Sequence, residues 1–273
     1  MLKDTGFHVR HDLQPALTAE LLRLLLVVPA GQTEPELHKL ASELGYKLRA
    51  RSDYRKLLLS LSELDIITTE HRTFVLTQMG WTIAKLVSYQ NELLPEFIHF
   101  LYYTAFDYSA HKRFSWSYRV ICQTLWQGSP YNIIPDRLVN IVTQGATHEF
   151  DAQVISFSSQ SVSGVLNWLL AMSPPCIIRR DKTLAFERRI YCPVEIFMLA
   201  LNHVYQQQEP EAYQSVALSP ELKSEICQIC LLSLESFPEM LEQAESCFSQ
   251  LQVRRERGER IHITSFSWSD LED

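Results

Sequence analysis

Three helical patterns followed by two short β-prone runs occupy residues 17–76, and this order constrains the fold more than any other feature of the chain. The first pattern has Thr18 as its predicted N-cap and ends where Pro29 interrupts the leucines. The second begins at Thr33, with Glu36 three residues later as in a capping box. The third runs through "SDYRKLLLSLSELD", whose apolar residues recur at helical spacing. We therefore expect three short helices that pack around one apolar core.

The β-prone runs lie in "IITTEHRTFVLT", on either side of a polar turn at Thr69–Arg72, which predicts a hairpin although the turn contains no glycine. The next residues, "LTQMG" at Leu76–Gly80, are similar to the Leu-Thr-x-x-Gly that often follows the second wing strand of winged helix-turn-helix proteins. Over roughly residues 17–90 the chain resembles that superfamily. The resemblance implies a third helix that enters the DNA major groove and a hairpin whose tip reaches phosphates or the minor groove.

The stretch "KLRARSDYRK", Lys47–Lys56, carries five positive side chains and one negative in a chain whose formal charge is −7. Lys and Arg neutralise phosphates, and Arg also reads guanine with two hydrogen bonds. A solvated surface that only aids solubility is the alternative interpretation. Carried over from the resemblance, the candidates at the groove are Lys47, Arg49, Arg51, Ser52, Tyr54, Arg55 and Lys56, and those at the wing tip are His71 and Arg72.

A weak internal repeat appears when the chain is shifted by 111 residues, which places "IITTEH" at 66–71 on "IIRRDK" at 177–182. Three further helical patterns lie upstream of this match, and the third of them ends at paired prolines. A second winged-helix unit over 116–192 is our interpretation. Its third helix has no charge, so its wing is expected to make most of the DNA contacts, through Arg179, Arg180 and Lys182. Ser158, Ser159 and Gln160 are the candidates for contacts in the groove. The alternative is that these cations only keep the hairpin edge from pairing with other strands.

Two other segments have distinctive composition. Nine aromatic residues lie within 97–118, and we interpret them as buried core that joins the two units, with stacking on unpaired bases as the alternative. Residues 193–253 carry nine acidic side chains against one basic, on predicted helices. That acidic face is either solvated surface or a docking surface for a second copy or a partner protein.

The sequence lacks the patterns of several kinds of chemistry. It has no Gly-rich phosphate loop, no Gly-x-Ser-x-Gly and no Cys/His array with metal-ligand spacing, so we expect a non-enzymatic protein without metal or cofactor. The six cysteines are scattered and are expected to be reduced thiols. Because no run of about eighteen uncharged apolar residues occurs, we expect no membrane association and a cytoplasmic location.

Together these observations predict a mainly α protein with two winged helix-turn-helix units, each of three helices and a β-hairpin, and a helical C-terminal extension. The predicted function is double-stranded DNA binding, as a transcriptional regulator or an accessory subunit of a DNA-handling or defence complex. The alternative is an acidic tandem winged-helix scaffold that binds proteins instead of DNA. The predicted boundaries are 1–90 for the first winged-helix domain, 91–115 for an aromatic-rich helical connector, 116–192 for the second winged-helix domain, 193–253 for an acidic helical domain and 254–273 for a tail.

Overall fold

A computed structural model of the protein describes residues 6–11, 13–46, 51–152, 155–181, 183–210, 214–256 and 258–272, with only the backbone described for 51–53. Eleven α-helices and nine short strands occur in these ranges. The chain is mainly helical with small antiparallel sheets, which confirms the predicted fold class at that level.

One order of elements, helix, strand, helix, helix, strand, strand, occurs three times along the chain, and we call each occurrence a repeat. The first repeat comprises α1 (Pro15–Val27), β1 (Gln32–Thr33), α2 (Glu34–Glu43), α3 (Arg51–Glu63), β2 (Ile67–Glu70) and β3 (Thr73–Leu76). Helices α4 (Gln78–Tyr89) and α5 (Leu93–Tyr108) follow it. The second repeat comprises α6 (Arg113–Gln127), β4 (Tyr131–Asn132), α7 (Pro135–Phe150), α8 (Ser159–Ala171), β5 (Ile177–Arg180) and β6 (Thr183–Phe186).

The third repeat occupies the acidic C-terminal block. It comprises α9 (Val194–Gln207), β7 (Val216–Ala217), α10 (Pro220–Cys230), α11 (Phe237–Cys247), β8 (Leu251–Arg254) and β9 (Arg260–Ile263), with 3-10 helices at Leu234–Ser236 and Trp268–Leu271. The expected helical extension followed by a tail is therefore corrected. Because β9 pairs with both β7 and β8, the block ends in a sheet.

The three sheets share one topology. Each has three antiparallel strands in which the last strand of the repeat lies between the first and the second, in the orders β1-β3-β2, β4-β6-β5 and β7-β9-β8. The hairpin registers of the first two repeats correspond, since Ile67 pairs with Leu76 and Ile177 with Phe186. Ile67 is therefore equivalent to Ile177 in the structure. The offset between the two repeats in the structure is one residue shorter than the 111-residue shift of the sequence match.

The caps explain where the first helices begin. Helix α2 starts with the predicted capping box, in which the backbone N–H and the hydroxyl of Thr33 both donate to Glu36 Oε2, at 2.8 and 2.7 Å. These hydrogen bonds lower the pKa of Glu36. The N-cap predicted at Thr18 is wrong, because Pro15 starts α1 one turn earlier and the Thr18 hydroxyl donates to the Gln14 carbonyl inside the helix.

Contacts divide the chain into two compact units. Unit 1 contains 1–121, 133–172 and Glu272, and unit 2 contains 122–132 and 173–271. The first repeat thus belongs to unit 1 and the third to unit 2, while α7 and α8 of the second repeat belong to unit 1 and its sheet to unit 2. The domain boundaries expected from the sequence stay predictions.

Helix α5 forms the centre of unit 1. Every residue from Leu93 to Ala105 is buried, and the helix packs against α1, α4 and α8. A helix that is apolar on all sides needs neighbours around it, and these three helices supply them. The aromatic residues of 97–118 contribute to this core, with the rings of Tyr102 and Tyr118 stacked at 5.1 Å.

In unit 2, α9 packs against α10 and α11, and the rings of Phe197 and Phe237 meet edge to face at 5.5 Å. All six cysteines of the chain are free thiols, and Cys247 is the exposed one. Burial raises the pKa of Cys227 to about 12 and that of Cys230 well above its usual value. These buried thiols pack as small apolar groups.

Candidate nucleic-acid interface

Helix α3 has a buried face and an exposed face. Leu57, Leu58 and Leu61 are buried at helical spacing, whereas Arg55 and Lys56 are exposed. The two cations near the helix start therefore face solvent, because the leucine pattern fixes which side of the helix meets the core.

Tyr54 lies on the buried face, and its predicted role at a DNA groove is wrong. The residue is 2% exposed, and its ring meets the His38 ring edge to face at 6.3 Å. Burial raises the pKa of its hydroxyl. The ring is part of the packing between α2 and α3 and is not available to a ligand.

The turn between β2 and β3 consists of His71 and Arg72, and both residues have left-handed backbone conformations, with φ of 50° and 70°. A two-residue hairpin turn with two positive φ values normally contains glycine, asparagine or aspartate, because a β-carbon is unfavourable there. Here the sequence keeps an imidazole and a guanidinium at the tip, and both side chains are exposed. Backbone strain of this kind concentrates at functional sites.

A surface groove of about 590 Å³ lies between α3, the hairpin and the start of α2. We call it the basic groove, and its lining residues are Thr33, Glu34, Pro35, Arg55, Leu59, Thr69, Arg72 and Phe74. All of them belong to the first repeat. The sequence predicted the two arginines but not the apolar floor, where Leu59 is 42% exposed.

Arg55 and Arg72 make no ion pair or side-chain hydrogen bond with any residue in the described ranges. Glu34 is the only carboxylate among the residues that line the groove. The neighbouring Glu36 carboxylate is held by Thr33 in the capping box. Two guanidinium groups in one groove thus exceed the single carboxylate there, and the groove favours anions.

Several predicted site residues cannot be placed. Lys47, Arg49 and Lys182 lie outside the described residues, and so do the side chains of Arg51 and Ser52. Their part in the interface stays a prediction.

In the second repeat α8 belongs to unit 1 and the hairpin to unit 2. Arg179 is exposed and has no ion pair among the described residues, whereas Arg180 pairs with Glu187. Both partners of that pair are substantially exposed, so the pair adds little stability and can exchange for another anion. The start of α8 exposes Ser158, Ser159 and Gln160.

The third repeat has the opposite charge at the corresponding helix. Helix α11 exposes Glu239 and Glu242, and Glu245 accepts from Arg255 of the following hairpin at 2.9 Å. An acidic helix in this position repels phosphates. One local signal for this repeat was present in the sequence, the alternation around "IHITSF".

The aromatic stretch gives little support to stacking on unpaired bases. Seven of its nine rings are buried, and Tyr108, at 73%, is the strongly exposed one. Among the described residues no cluster of three or more His, Cys, Asp or Glu side chains can hold a metal ion. The same part of the chain has no helix with both the length and the apolar character to cross a bilayer.

Comparisons of the chain with models of known protein families, with curated proteins and with solved structures find no match.

Proposed function

We propose that the first repeat is a winged helix-turn-helix and that the protein binds double-stranded DNA through its basic groove. The order of elements and the central position of the last strand in each sheet support this reading of the fold. In this proposal the second and third repeats are winged helices as well. The chain then carries three such units, of which the first is suited to DNA and the third is not.

The observation that carries the proposal is the pair Arg55 and Arg72. One comes from the exposed face of α3 and the other from the hairpin tip, and both line the same groove. Neither is neutralised by a carboxylate among the described residues. In a winged helix these two positions face the major groove and the adjacent phosphates.

The proposed contacts divide by element. Arg55 and Lys56 on α3 meet base edges or phosphates of the major groove, and His71 and Arg72 at the tip meet the phosphate backbone. Lys47, Arg49, Arg51 and Ser52 are further DNA contacts in this proposal, as the resemblance to winged helices implies. Arg179, Arg180 and Lys182 form a second, weaker contact through the hairpin of the second repeat.

Binding to a partner protein is the second candidate function, and two observations favour it. Leu59 and Phe74 give the groove an apolar floor, which a protein side chain can fill. The acidic polar side of α11 suits a basic partner or a second copy of the chain. Under this reading the protein is a scaffold subunit. If the protein instead binds DNA, it is a regulator or an accessory subunit that acts on DNA in the cytoplasm.

The proposal is tested by measuring the affinity of the intact protein for a labelled duplex and for either of its single strands, at several salt concentrations. We expect micromolar or tighter duplex binding in dilute salt and weaker binding to single strands, with the duplex affinity falling steeply as salt rises. Absence of duplex binding in dilute salt would favour the scaffold function. A preference for single strands would contradict the groove geometry.

A further inference from the structure

A second, more polar cavity lies within unit 1 and shares no lining residue with the basic groove. We call it the polar cleft. It has a volume of about 550 Å³ and is lined by Gly6, His8, Arg10, Ser62, Glu63, Ser109, His111, Lys112, Phe114 and Ser156. These residues come from four separate parts of the chain: the N-terminal segment, the end of α3, the connection between α5 and α6 with the first turn of α6, and the segment before α8. Because these parts are far apart in the sequence, the cleft exists only when the unit is folded.

The N-terminal segment reaches the cleft with every second side chain, because burial alternates along residues 6–10. Phe7 and Val9 are completely buried, while His8 and Arg10 line the cleft. The segment lies close against α8 at Gly164, where an added β-carbon would come within 3.0 Å of the Arg10 carbonyl oxygen. This close packing fixes the backbone from which the two side chains project.

The basic side chains of the cleft are held in place by neighbouring groups. Glu63 accepts two hydrogen bonds from Arg10, from Nε at 2.9 Å and from Nη2 at 2.5 Å, so the guanidinium has a fixed plane. His8 Nδ1 lies 2.7 Å from the Ser161 hydroxyl. Lys112 pairs with Asp65, whose side chain is 67% exposed and does not line the cleft. The cationic side chains are therefore oriented before any ligand arrives.

The remaining polar groups have hydrogen-bonding capacity that the described residues do not use. The hydroxyls of Ser62, Ser109 and Ser156 and the ring of His111 make no side-chain hydrogen bond within the described ranges. Glu63 is the only carboxylate in the lining, and both its oxygens accept from Arg10. The wall presents hydroxyls, imidazoles, a guanidinium and an ammonium, and each of the two cations has one carboxylate partner, Glu63 for Arg10 and Asp65 for Lys112. Such a wall suits a ligand that accepts many hydrogen bonds and whose negative charge shares these cations with the two carboxylates.

We propose that the polar cleft binds a small phosphate monoester. A phosphoryl group supplies three acceptor oxygens and close to two negative charges, which matches the lysine, the arginine and the surrounding hydroxyls. The volume is within the range of sites for small organic ligands and is larger than a bare phosphate requires. Phe114 gives an apolar wall for the organic part of the ester.

Isothermal titration of the full-length protein tests the proposal, with phenyl phosphate, inorganic phosphate and phenol as probes. We expect saturable binding of one phenyl phosphate, weaker binding of inorganic phosphate and none of phenol. His111→Ala and Lys112→Met should each weaken phenyl phosphate binding by about tenfold, since each removes a hydrogen bond to a charged group. The matched controls His148→Ala and Lys39→Met alter exposed residues of α7 and α2 outside the cleft and should leave the affinity unchanged.

Three results would overturn the proposal. The first is absence of saturable phenyl phosphate binding at concentrations up to about 10 mM, the weak end of the ordinary affinity scale. The second is equal affinity for phenyl phosphate in wild type and in both cleft variants. The third is that a 5′-phosphate on a duplex raises its affinity for the wild-type protein and that both cleft variants remove this gain. That result would assign the cleft to nucleic-acid ends. Because the cleft and the basic groove share no residues, the two phenyl phosphate results do not depend on duplex binding through the groove.

Discussion

The double substitution Arg55→Glu/Arg72→Glu is expected to lower the affinity of the protein for duplex DNA by at least about 100-fold in dilute salt. Each arginine contact to DNA contributes roughly 1–3 kcal/mol, and the two losses act together because both residues line the basic groove. Reversal of the charge adds repulsion from the phosphates. Both side chains are exposed and neither has an ion pair among the described residues, so the fold should tolerate the change.

The matched control is Arg23→Glu/Arg137→Glu, which changes the net charge by the same amount on α1 and α7. Fluorescence anisotropy with one duplex compares the two variants, and circular dichroism checks that both fold. A general effect of net charge would lower both affinities equally. If the affinity of Arg55→Glu/Arg72→Glu lies within about threefold of that of the control variant, the two differ by less than about 1 kcal/mol. The groove would then be rejected as the DNA site.

The substitution Gly80→Ala is expected to lower the free energy of unfolding by about 3 kcal/mol or more. A β-carbon at this position would lie 1.9 Å from the Ile66 carbonyl oxygen and 2.9 Å from its carbon, so the backbone itself has to move. The same carbonyl accepts from the Thr77 backbone N–H, and the Thr77 hydroxyl accepts from the Gly80 N–H as the N-cap of α4. Overpacking against this fixed turn has a cost at or above the usual range of roughly 1–3 kcal/mol.

Urea denaturation followed by circular dichroism measures this loss, with Gln78→Ala as the control. Gln78 is exposed in the same turn of α4, and its replacement should change the free energy of unfolding by less than about 0.5 kcal/mol. A Gly80→Ala protein that unfolds at the same urea concentration as Gln78→Ala would contradict the described approach of α4 to Ile66. The "LTQMG" pattern has this physical basis, a threonine cap followed by a glycine that admits a carbonyl.

Local patterns predicted much of the first repeat. The capping box at Thr33, the leucine stripe of α3 and the two β-prone runs all act over a few residues, and the structure places helices and strands there. The start of α1 differs from the prediction because Pro15 and Thr18 are both local signals for the start of a helix, and Pro15 determined the first turn. Tyr54 shows a conflict of another kind. Its spacing with the leucines placed it in the core, whereas its position at the start of the third helix suggested a DNA contact, and the spacing was the better guide.

Features that depend on distant contacts were not predictable. The third repeat was missed because its hairpin turn, between Arg254 and Arg260, is longer than the two-residue turns of the other repeats and no local match to them appears. The apolar floor of the basic groove depends on Leu59 of α3 and Phe74 of the hairpin lining the same groove. The polar cleft depends on pairs such as Arg10 and Glu63, which are 53 residues apart in the chain.

If Arg55 and Arg72 neutralise DNA phosphates, the salt dependence of duplex binding has to change when both are replaced. The logarithm of the affinity falls with the logarithm of salt concentration by a slope of about 0.9 per phosphate neutralised. For Arg55→Gln/Arg72→Gln we expect a slope smaller than that of wild type by about 1.8, with an unchanged slope for Arg23→Gln/Arg137→Gln. An equal slope in wild type and in the groove variant would contradict the neutralisation of phosphates by Arg55 and Arg72.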